Sequence, residues 1–257
     1  MSQGTFQGNS SATLRVGLVG CGHFGRFHAL KSAAAPRETL VGLFDPDRVK
    51  ADALAKEAGT RAFDDLDALF AEIEAVIVAA PAELHFTLAE QALRAGKHVL
   101  VEKPMAATLA EADELVTLAR DAGKVLQVGH LLRYSAEYEA ITQRITRPLY
   151  IEATRIAPFK PRGPDVSVIL DLMIHDLDLI LAIVDSPIAQ VDAVGAAVSS
   201  EHEDIANARV RFANGCVATI TASRISLKTE RKMRLFSEEG YLSAAFGKRE
   251  LVMIGRE

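Results

Sequence analysis

A glycine-rich turn that directly follows an apolar stretch constrains this chain more than any other feature. Residues 14–19 are apolar except for Arg15, and the pattern G-x-G-x-x-G follows at Gly20, Gly22 and Gly25. The first glycine of such a motif permits a tight strand-to-helix turn, the second lets the backbone approach a pyrophosphate, and the third lets the helix pack closely on the strand. The phosphates then lie at the positive N-terminal end of that helix. The motif therefore predicts a strand–turn–helix unit that binds a dinucleotide.

Asp45 narrows the class of ligand. It follows a second apolar stretch, residues 40–44, and stands twenty positions beyond Gly25. A carboxylate at this place accepts hydrogen bonds from both ribose hydroxyls of an adenosine and repels the 2′-phosphate of NADP. Arg48, three residues further on, softens that repulsion. We expect a site that favours NAD, with NADP as the alternative coenzyme. The alternative interpretations are a site for S-adenosylmethionine and a nucleotide site that has lost its function.

Strand-like and helix-like stretches alternate through the first half of the chain. Helical patterns lie at residues 24–35, 46–58, 66–71, 83–95 and 109–122. Short apolar runs, which are typical of strands covered on both faces, lie between them at residues 14–19, 40–44, 75–80, 98–101 and 125–128. Right-handed crossovers then give a doubly wound parallel sheet, a Rossmann domain, which we place at residues 12–130.

From about Tyr150 the pattern changes to an α+β type. A long apolar helix at residues 166–184 precedes alternating stretches, and Asn214-Gly215 is a strong hairpin turn. We expect a second domain at residues 131–257, with a mostly antiparallel open sheet covered on one face by the helix. Its last strand would leave an exposed edge, which proteins usually cover. Either an oligomer partner covers that edge, or the chain lacks a C-terminal closing segment.

The composition argues against several classes of function. The chain has 257 residues and a formal net charge of −5. This acidic balance argues against a protein that binds nucleic acids or membranes through a broad basic surface. The two cysteines, Cys21 and Cys216, have no metal-ligand spacing and suggest a reducing cytoplasm. Residues 1–11 are polar and do not resemble a signal peptide.

Lys103 is the first candidate for chemistry. The sequence Glu102-Lys103-Pro104 follows an apolar run, so the lysine lies at the carboxyl end of a parallel strand, where open α/β sheets bind ligands. A lysine there can polarise a carbonyl, hold a hydroxyl or pass a proton. A solvated lysine at a strand end is the alternative. Pro104 makes the turn rigid and is a candidate for a cis peptide bond.

A polar stripe on the long apolar helix is the second candidate. Asp171 and His175 are four residues apart and share a helix face, and Asp178 continues the stripe. Asp171 can hold the imidazole in one tautomer, which leaves His175 to exchange a proton with a substrate hydroxyl. The alternative is that the Asp and His side chains pair with each other and have only a structural role. A metal site is not predicted, because no convincing third ligand is present.

Together these motifs resemble the glucose–fructose oxidoreductase/inositol dehydrogenase (Gfo/Idh/MocA) family. The resemblance rests on the glycine motif with His28 after it, the Asp45 turn, Glu102-Lys103-Pro104 and the later D-x-x-x-H. The stretch Thr221-Ala222-Ser223-Arg224, followed by Arg231-Lys232, is similar to the nucleotide-sugar branch, the UDP-N-acetylglucosamine 3-dehydrogenases.

The resemblance implies roles for individual residues. The catalytic positions are Lys103, Asp171 and His175, and the substrate-binding positions are His130 and Arg133. The cofactor-binding positions are Gly20, Gly22, His23, Phe24, Gly25, Asp45, Ala80, Pro81, His85, Glu102 and Lys103.

The predicted function is hydride transfer between NAD(P) and a secondary hydroxyl or carbonyl of a sugar, cyclic polyol or nucleotide sugar. The resemblance also implies a homodimer or homotetramer formed through the open sheet, and the net charge of −5 argues against a nucleic-acid or membrane partner. A non-catalytic dinucleotide-binding sensor or assembly protein is the alternative. Such a protein would keep the glycines and Asp45 but would not require Lys103, Asp171 and His175 together.

Overall fold

The computed structural model describes residues 13–159 and 166–255. The chain divides into two compact units, with the division between Gly129 and His130. In the part of the chain that the structure describes, no helix combines the length and apolar character needed to cross a membrane.

The first unit is a doubly wound parallel sheet. Its strands are β1 (Leu14–Val19), β2 (Glu38–Phe44), β3 (Arg61–Ala62), β4 (Ala75–Val78), β5 (His98–Val101) and β6 (Leu126–Val128). They lie in the order β3-β2-β1-β4-β5-β6, with every pairing parallel. The order reverses between β1 and β4, which is where ligands bind in folds of this kind.

Helices cover both faces of this sheet. They are α1 (His23–Ala34), α2 (Arg48–Ala58), α3 (Leu66–Glu72), α4 (His85–Arg94) and α5 (Leu109–Asp121). Leu18 and Leu43 pack in one apolar cluster, while Val78 and Val101 pack in another with Leu115 of α5. Because adjacent strands contribute to two cores, their sequences are apolar runs and do not alternate.

The second unit contains a seven-stranded sheet. Its strands are β7 (Pro148–Ile156), β8 (Ile188–Ala196), β9 (Ile205–Phe212), β10 (Val217–Ser223), β11 (Glu230–Ser237), β12 (Gly240–Ala245) and β13 (Glu250–Gly255). Their order is β13-β12-β11-β7-β10-β9-β8, and within the described part of this sheet only β7 and β10 pair in parallel. The fold class is therefore the one expected, although the sequence patterns did not identify β7 as the central strand.

Two helices, α6 (Ala136–Thr142) and α7 (Ile174–Val184), belong to this unit. The predicted long helix is divided: a π-helical turn at Ile169–Met173 leads into α7. Leu179 and Ile180 of α7 are buried in one cluster with Ala153 of β7 and Ile220 of β10. The opposite face of the sheet carries mixed polar and aromatic side chains. The edge strand β8 is exposed along its whole length.

Candidate functional site

The glycine turn has the geometry that the motif predicts. Gly20 has a φ of +96°, a left-handed conformation that favours glycine. A Cβ on Gly25 would lie 1.8 Å from the carbonyl oxygen of Gly20, so only glycine lets α1 pack this closely. A Cβ on Gly22 would meet no atom within 4 Å, and this leaves open space next to the helix N-terminus. The backbone is thus exposed where a pyrophosphate would bind.

Asp45 is fixed at the end of β2 by backbone amides. Its Oδ2 accepts a hydrogen bond from the Cys21 amide at 2.7 Å, and its Oδ1 accepts one from the Asp47 amide at 2.9 Å. The carboxylate is therefore oriented by the glycine turn before any ligand binds. Burial, and then the charge of Asp45, raise the pKa of the Cys21 thiol to about 12, so this thiol stays protonated and unreactive at neutral pH.

These groups line one cavity of about 550 Å³ in the first unit. Its walls include Gly20, Gly22, His23, Phe24, Asp45, Lys50, Ala80 and Pro81. A helix N-terminus, a glycine backbone and an oriented carboxylate in one cavity suit the phosphates and ribose of a dinucleotide. The residues present therefore fit NAD.

The cations beside Asp45 differ from what the sequence suggested. Arg48 contacts Asp52 and Asp64. The hydrogen bond to Asp52 raises the pKa of the Arg48 guanidinium above its ordinary value. Lys50 lines the cavity and pairs with Asp47 at 3.1 Å. The expectation that Arg48 offsets the charge of Asp45 therefore receives no support from its contacts. Lys50, in the first turn of α2, was missed because nothing in its sequence context distinguishes it.

Lys103 lies in a tightly held turn after β5. The preceding Glu102 is buried and contacts His28 of α1, with 2.7 Å between its Oε1 and the imidazole Nε2. Lys103 is half-buried, and the Lys103–Pro104 peptide bond is cis, as expected. His85 lies against the same turn, with its Nδ1 2.6 Å from the carbonyl oxygen of Pro104.

The second unit carries the remaining predicted residues, on α7 and on the segments next to it in the chain or in contact with it. Asp171 lies in the π-helical turn, and His175 lies in the first turn of α7; both are half-buried. Asp178, one turn further, accepts two hydrogen bonds from Arg133, at 2.8 Å from Nε and 2.6 Å from Nη2. His130 Nε2 lies 3.8 Å from the same carboxylate.

Asp178 therefore orients Arg133 and lies close to His130. Its hydrogen bond raises the pKa of Arg133 above the ordinary guanidinium value, so that Arg133 is a permanent cation. The sequence carried the signal for this role, since Asp178 continues the Asp171–His175 stripe, but gave no indication of its partner. Among the residues that the structure describes, no group of three or more His, Cys, Asp or Glu side chains could hold a metal ion.

Arg224, part of the nucleotide-sugar pattern, is buried. Its Nε donates to Asp204 Oδ1 at 2.8 Å and its Nη1 donates to the carbonyl of Val166 at 2.7 Å. Backbone hydrogen bonds, first that from Ser199, hold the pKa of the Asp204 carboxyl well below its usual range. Arg224 thus anchors the chain just before the π-helical turn that carries Asp171.

Comparison with known proteins agrees with this arrangement. A model of an oxidoreductase family with an NAD-binding Rossmann fold, Gfo/Idh/MocA, matches residues 14–130, and the model of that family's C-terminal domain matches residues 144–243. The chain belongs to the Gfo/Idh/MocA family. The resemblance, the fold class and the expectation of an NAD-dependent oxidoreductase acting on CH–OH groups are thereby confirmed.

Individual proteins of known function are also similar to this chain. The chain is 43% identical to UDP-N-acetylglucosamine 3-dehydrogenase from Acidithiobacillus ferrooxidans, over 91% of this chain and 74% of that protein. It is 31% identical to inositol 2-dehydrogenase from Leifsonia xyli subsp. xyli, over 70% of this chain and 56% of that protein. A solved structure of the A. ferrooxidans enzyme, GnnA, matches with a TM-score of 0.90 and 41% identity, covering 96% of this chain and 82% of that chain.

Proposed function

We propose that this oxidoreductase acts on a nucleotide sugar and oxidises the hydroxyl at carbon 3 of UDP-N-acetylglucosamine. The observation that carries the proposal is the 43% identity to a UDP-N-acetylglucosamine 3-dehydrogenase over 91% of the chain. The first unit acts as the dinucleotide-binding domain, and the second as the substrate-binding and oligomerisation domain.

Three residues of the chain act on the hydroxyl group of the substrate. When bound, NAD supplies the acceptor for the hydride that leaves the alcohol carbon. His175 accepts the hydroxyl proton as the C=O bond forms, and Asp171 orients its imidazole. Lys103 donates a hydrogen bond to the oxygen and stabilises the negative charge that develops there. One hydride and one proton leave the substrate, so the alcohol becomes a ketone.

Arg133 and His130 suit the anionic part of such a substrate. Two Arg133 nitrogens are bound by Asp178, which fixes the plane of the guanidinium. A guanidinium held in this way retains Nη1 for a phosphate oxygen, and its side chain is 45% exposed. A cyclic polyol has no group that needs this cation, so the arrangement favours a nucleotide sugar over inositol.

The test is turnover with a panel of substrates. Purified protein is incubated with NAD and UDP-N-acetylglucosamine, UDP-glucose or myo-inositol, and NADH formation is followed by absorbance. We expect turnover with the first substrate, and a fall in kcat of at least about a hundredfold in Lys103→Ala and His175→Ala. His202→Ala, an exposed histidine in the second unit, is the matched control. Near-wild-type turnover in either active-site variant contradicts the catalytic roles of Lys103 and His175. Tight NADH binding without turnover on any substrate favours the non-catalytic alternative.

We further propose that the enzyme is a cytoplasmic homo-oligomer that associates through the open face of the second unit's sheet. Three aromatic rings form a cluster there: Phe236 lies 5.9 Å from Tyr150 and 5.1 Å from Tyr241, measured between ring centroids. Both cysteines are free, which suits a reducing compartment. Light scattering of the wild type and of Phe236→Glu tests the association, since a monomeric wild type contradicts it.

A further inference from the structure

Lys103 lies between two residues that are each contacted by an imidazole, that of His28 half-buried and that of His85 buried. Glu102, on its N-terminal side, contacts His28, and Pro104, on its C-terminal side, contacts His85. Neither histidine belongs to the turn itself. His28 is in α1, directly after the glycine motif, and His85 begins α4.

The contact on the N-terminal side is short and protected from solvent. His28 Nε2 lies 2.7 Å from Glu102 Oε1, and the two side chains are 16% and 8% exposed. The other carboxylate oxygen accepts a hydrogen bond from the Lys103 amide at 3.3 Å. A Cβ on Gly129 would lie only 3.1 Å from this oxygen, so the carboxylate packs in the space that this glycine leaves. His28 therefore fixes the carboxylate that in turn holds the backbone of Lys103.

The contact on the C-terminal side involves both ring nitrogens of His85. Its Nδ1 lies 2.6 Å from the Pro104 carbonyl oxygen, its Nε2 lies 2.9 Å from the Ala80 carbonyl oxygen, and the residue is 2% exposed. A carbonyl oxygen only accepts hydrogen bonds, so the ring nitrogen that carries the proton donates to one of these two carbonyls. The ring therefore joins residue 80, which lines the dinucleotide cavity, to the turn after β5.

We propose that His28 and His85 are positioning residues for Lys103. The inference rests on the proposed role of Lys103 in the reaction. Ala80 lines the dinucleotide cavity, and α1 follows the glycine turn. The two histidines thus tie the lysine turn to both sides of the coenzyme site, so that the lysine keeps one position relative to the cavity.

Hydrogen exchange tests the His28 part without any substrate. The exchange rate of the Lys103 amide is measured by NMR in the full chain for the wild type, His28→Leu, His28→Gln and the control His202→Leu. Leucine removes the donor to Glu102, whereas glutamine retains one. We expect exchange about tenfold faster in His28→Leu and close to the wild-type rate in the other two variants. Equal rates in His28→Leu and the wild type overturn the proposal.

A double-mutant cycle on turnover separates positioning from general structural damage. If His28 acts through Lys103, His28→Leu lowers kcat by about tenfold in the wild type but has little further effect in Lys103→Ala. If the losses in kcat from the two single substitutions multiply in the double variant, the positioning role is wrong. Unchanged kcat in Lys103→Ala alone refutes the proposed function instead, and hydrogen exchange still decides the structural part.

The same cycle tests the His85 part. His85→Leu removes both ring contacts and should lower kcat by about tenfold in the wild type, with little further effect in Lys103→Ala. His85→Gln retains an N–H donor for a carbonyl oxygen and should lose less activity. If the losses from His85→Leu and Lys103→Ala multiply in the double variant, the positioning role of His85 is wrong.

Discussion

Removing the carboxylate of Asp176 should destabilise the second unit severely. Asp176 of α7 and Arg155 of β7 form a bidentate ion pair, with both nitrogen–oxygen distances at 2.8 Å. Their side chains are 2% and 5% exposed. Asp176→Ala would leave the guanidinium buried without a counter-charge, because β7 is the central strand and α7 covers that face.

The expected magnitude follows from this burial. Breaking a buried ion pair by removing one partner costs about 3–5 kcal/mol, most of it the cost of the remaining unpaired charge. For a unit of about 130 residues this lowers Tm by about 10–20 °C. Turnover should fall as well, because His175 directly precedes Asp176 and loses its fixed position when α7 loosens.

The assay is urea and thermal unfolding followed by circular dichroism, with a matched control on the same strand. Glu152 of β7 pairs with Arg234 at 2.5 Å on the opposite face, with side chains 32% and 43% exposed. Glu152→Ala should cost less than about 1 kcal/mol, since exposed pairs contribute little. Replacing both buried partners, Arg155→Met with Asp176→Leu, should recover most of the stability. Equal losses in Asp176→Ala and Glu152→Ala would refute the argument that burial decides the cost.

Four further outcomes are expected. Gly25→Ala should weaken NADH binding by about tenfold in a fluorescence titration, because the glycine turn must shift to admit the methyl group. Asp45→Asn should move the ratio of the NADP and NAD dissociation constants by at least about tenfold towards NADP, and an unchanged ratio would contradict the repulsion argument. Because the pKa of Asp204 is lowered in the folded state, its stabilising effect is present above the unfolded value of about 3.9 and is lost as pH falls. Asp204→Asn should therefore flatten the acid side of the urea-midpoint profile. With its pKa raised to about 12, Cys21 should react with iodoacetamide far more slowly at pH 7.5 than free cysteine does, as measured by mass spectrometry.

Much of the first unit could be predicted from the sequence, because its information is local. Apolar runs of four to six residues and the glycine motif are properties of neighbouring positions. Gly59, Gly96 and Gly123 follow helical patterns, and their φ angles of +68°, +74° and +61° confirm the predicted helix ends. The cavity that contains Gly20 and Asp45 then follows from the strand order of the fold.

The second unit was harder to predict at its centre. β7 alternates buried and half-exposed positions, but one buried position is Arg155. A charged residue at a core position masks the apolar period, and its partner Asp176 is on another element. The π-helical turn at Ile169–Met173 is likewise invisible to a pattern analysis, because it has the composition of an ordinary apolar helix.

The sequence alone determined which residue types could carry the chemistry: the glycine turn, the lysine at the end of β5 and the Asp–His stripe. Only the tertiary structure decided their partners. His28 and Glu102 are 74 positions apart, and Arg133 and Asp178 are 45 apart. Such pairs form because strand register and helix packing place distant side chains within hydrogen-bond distance. Burial then makes each unpaired charge costly, so the charges that remain inside are those with a partner.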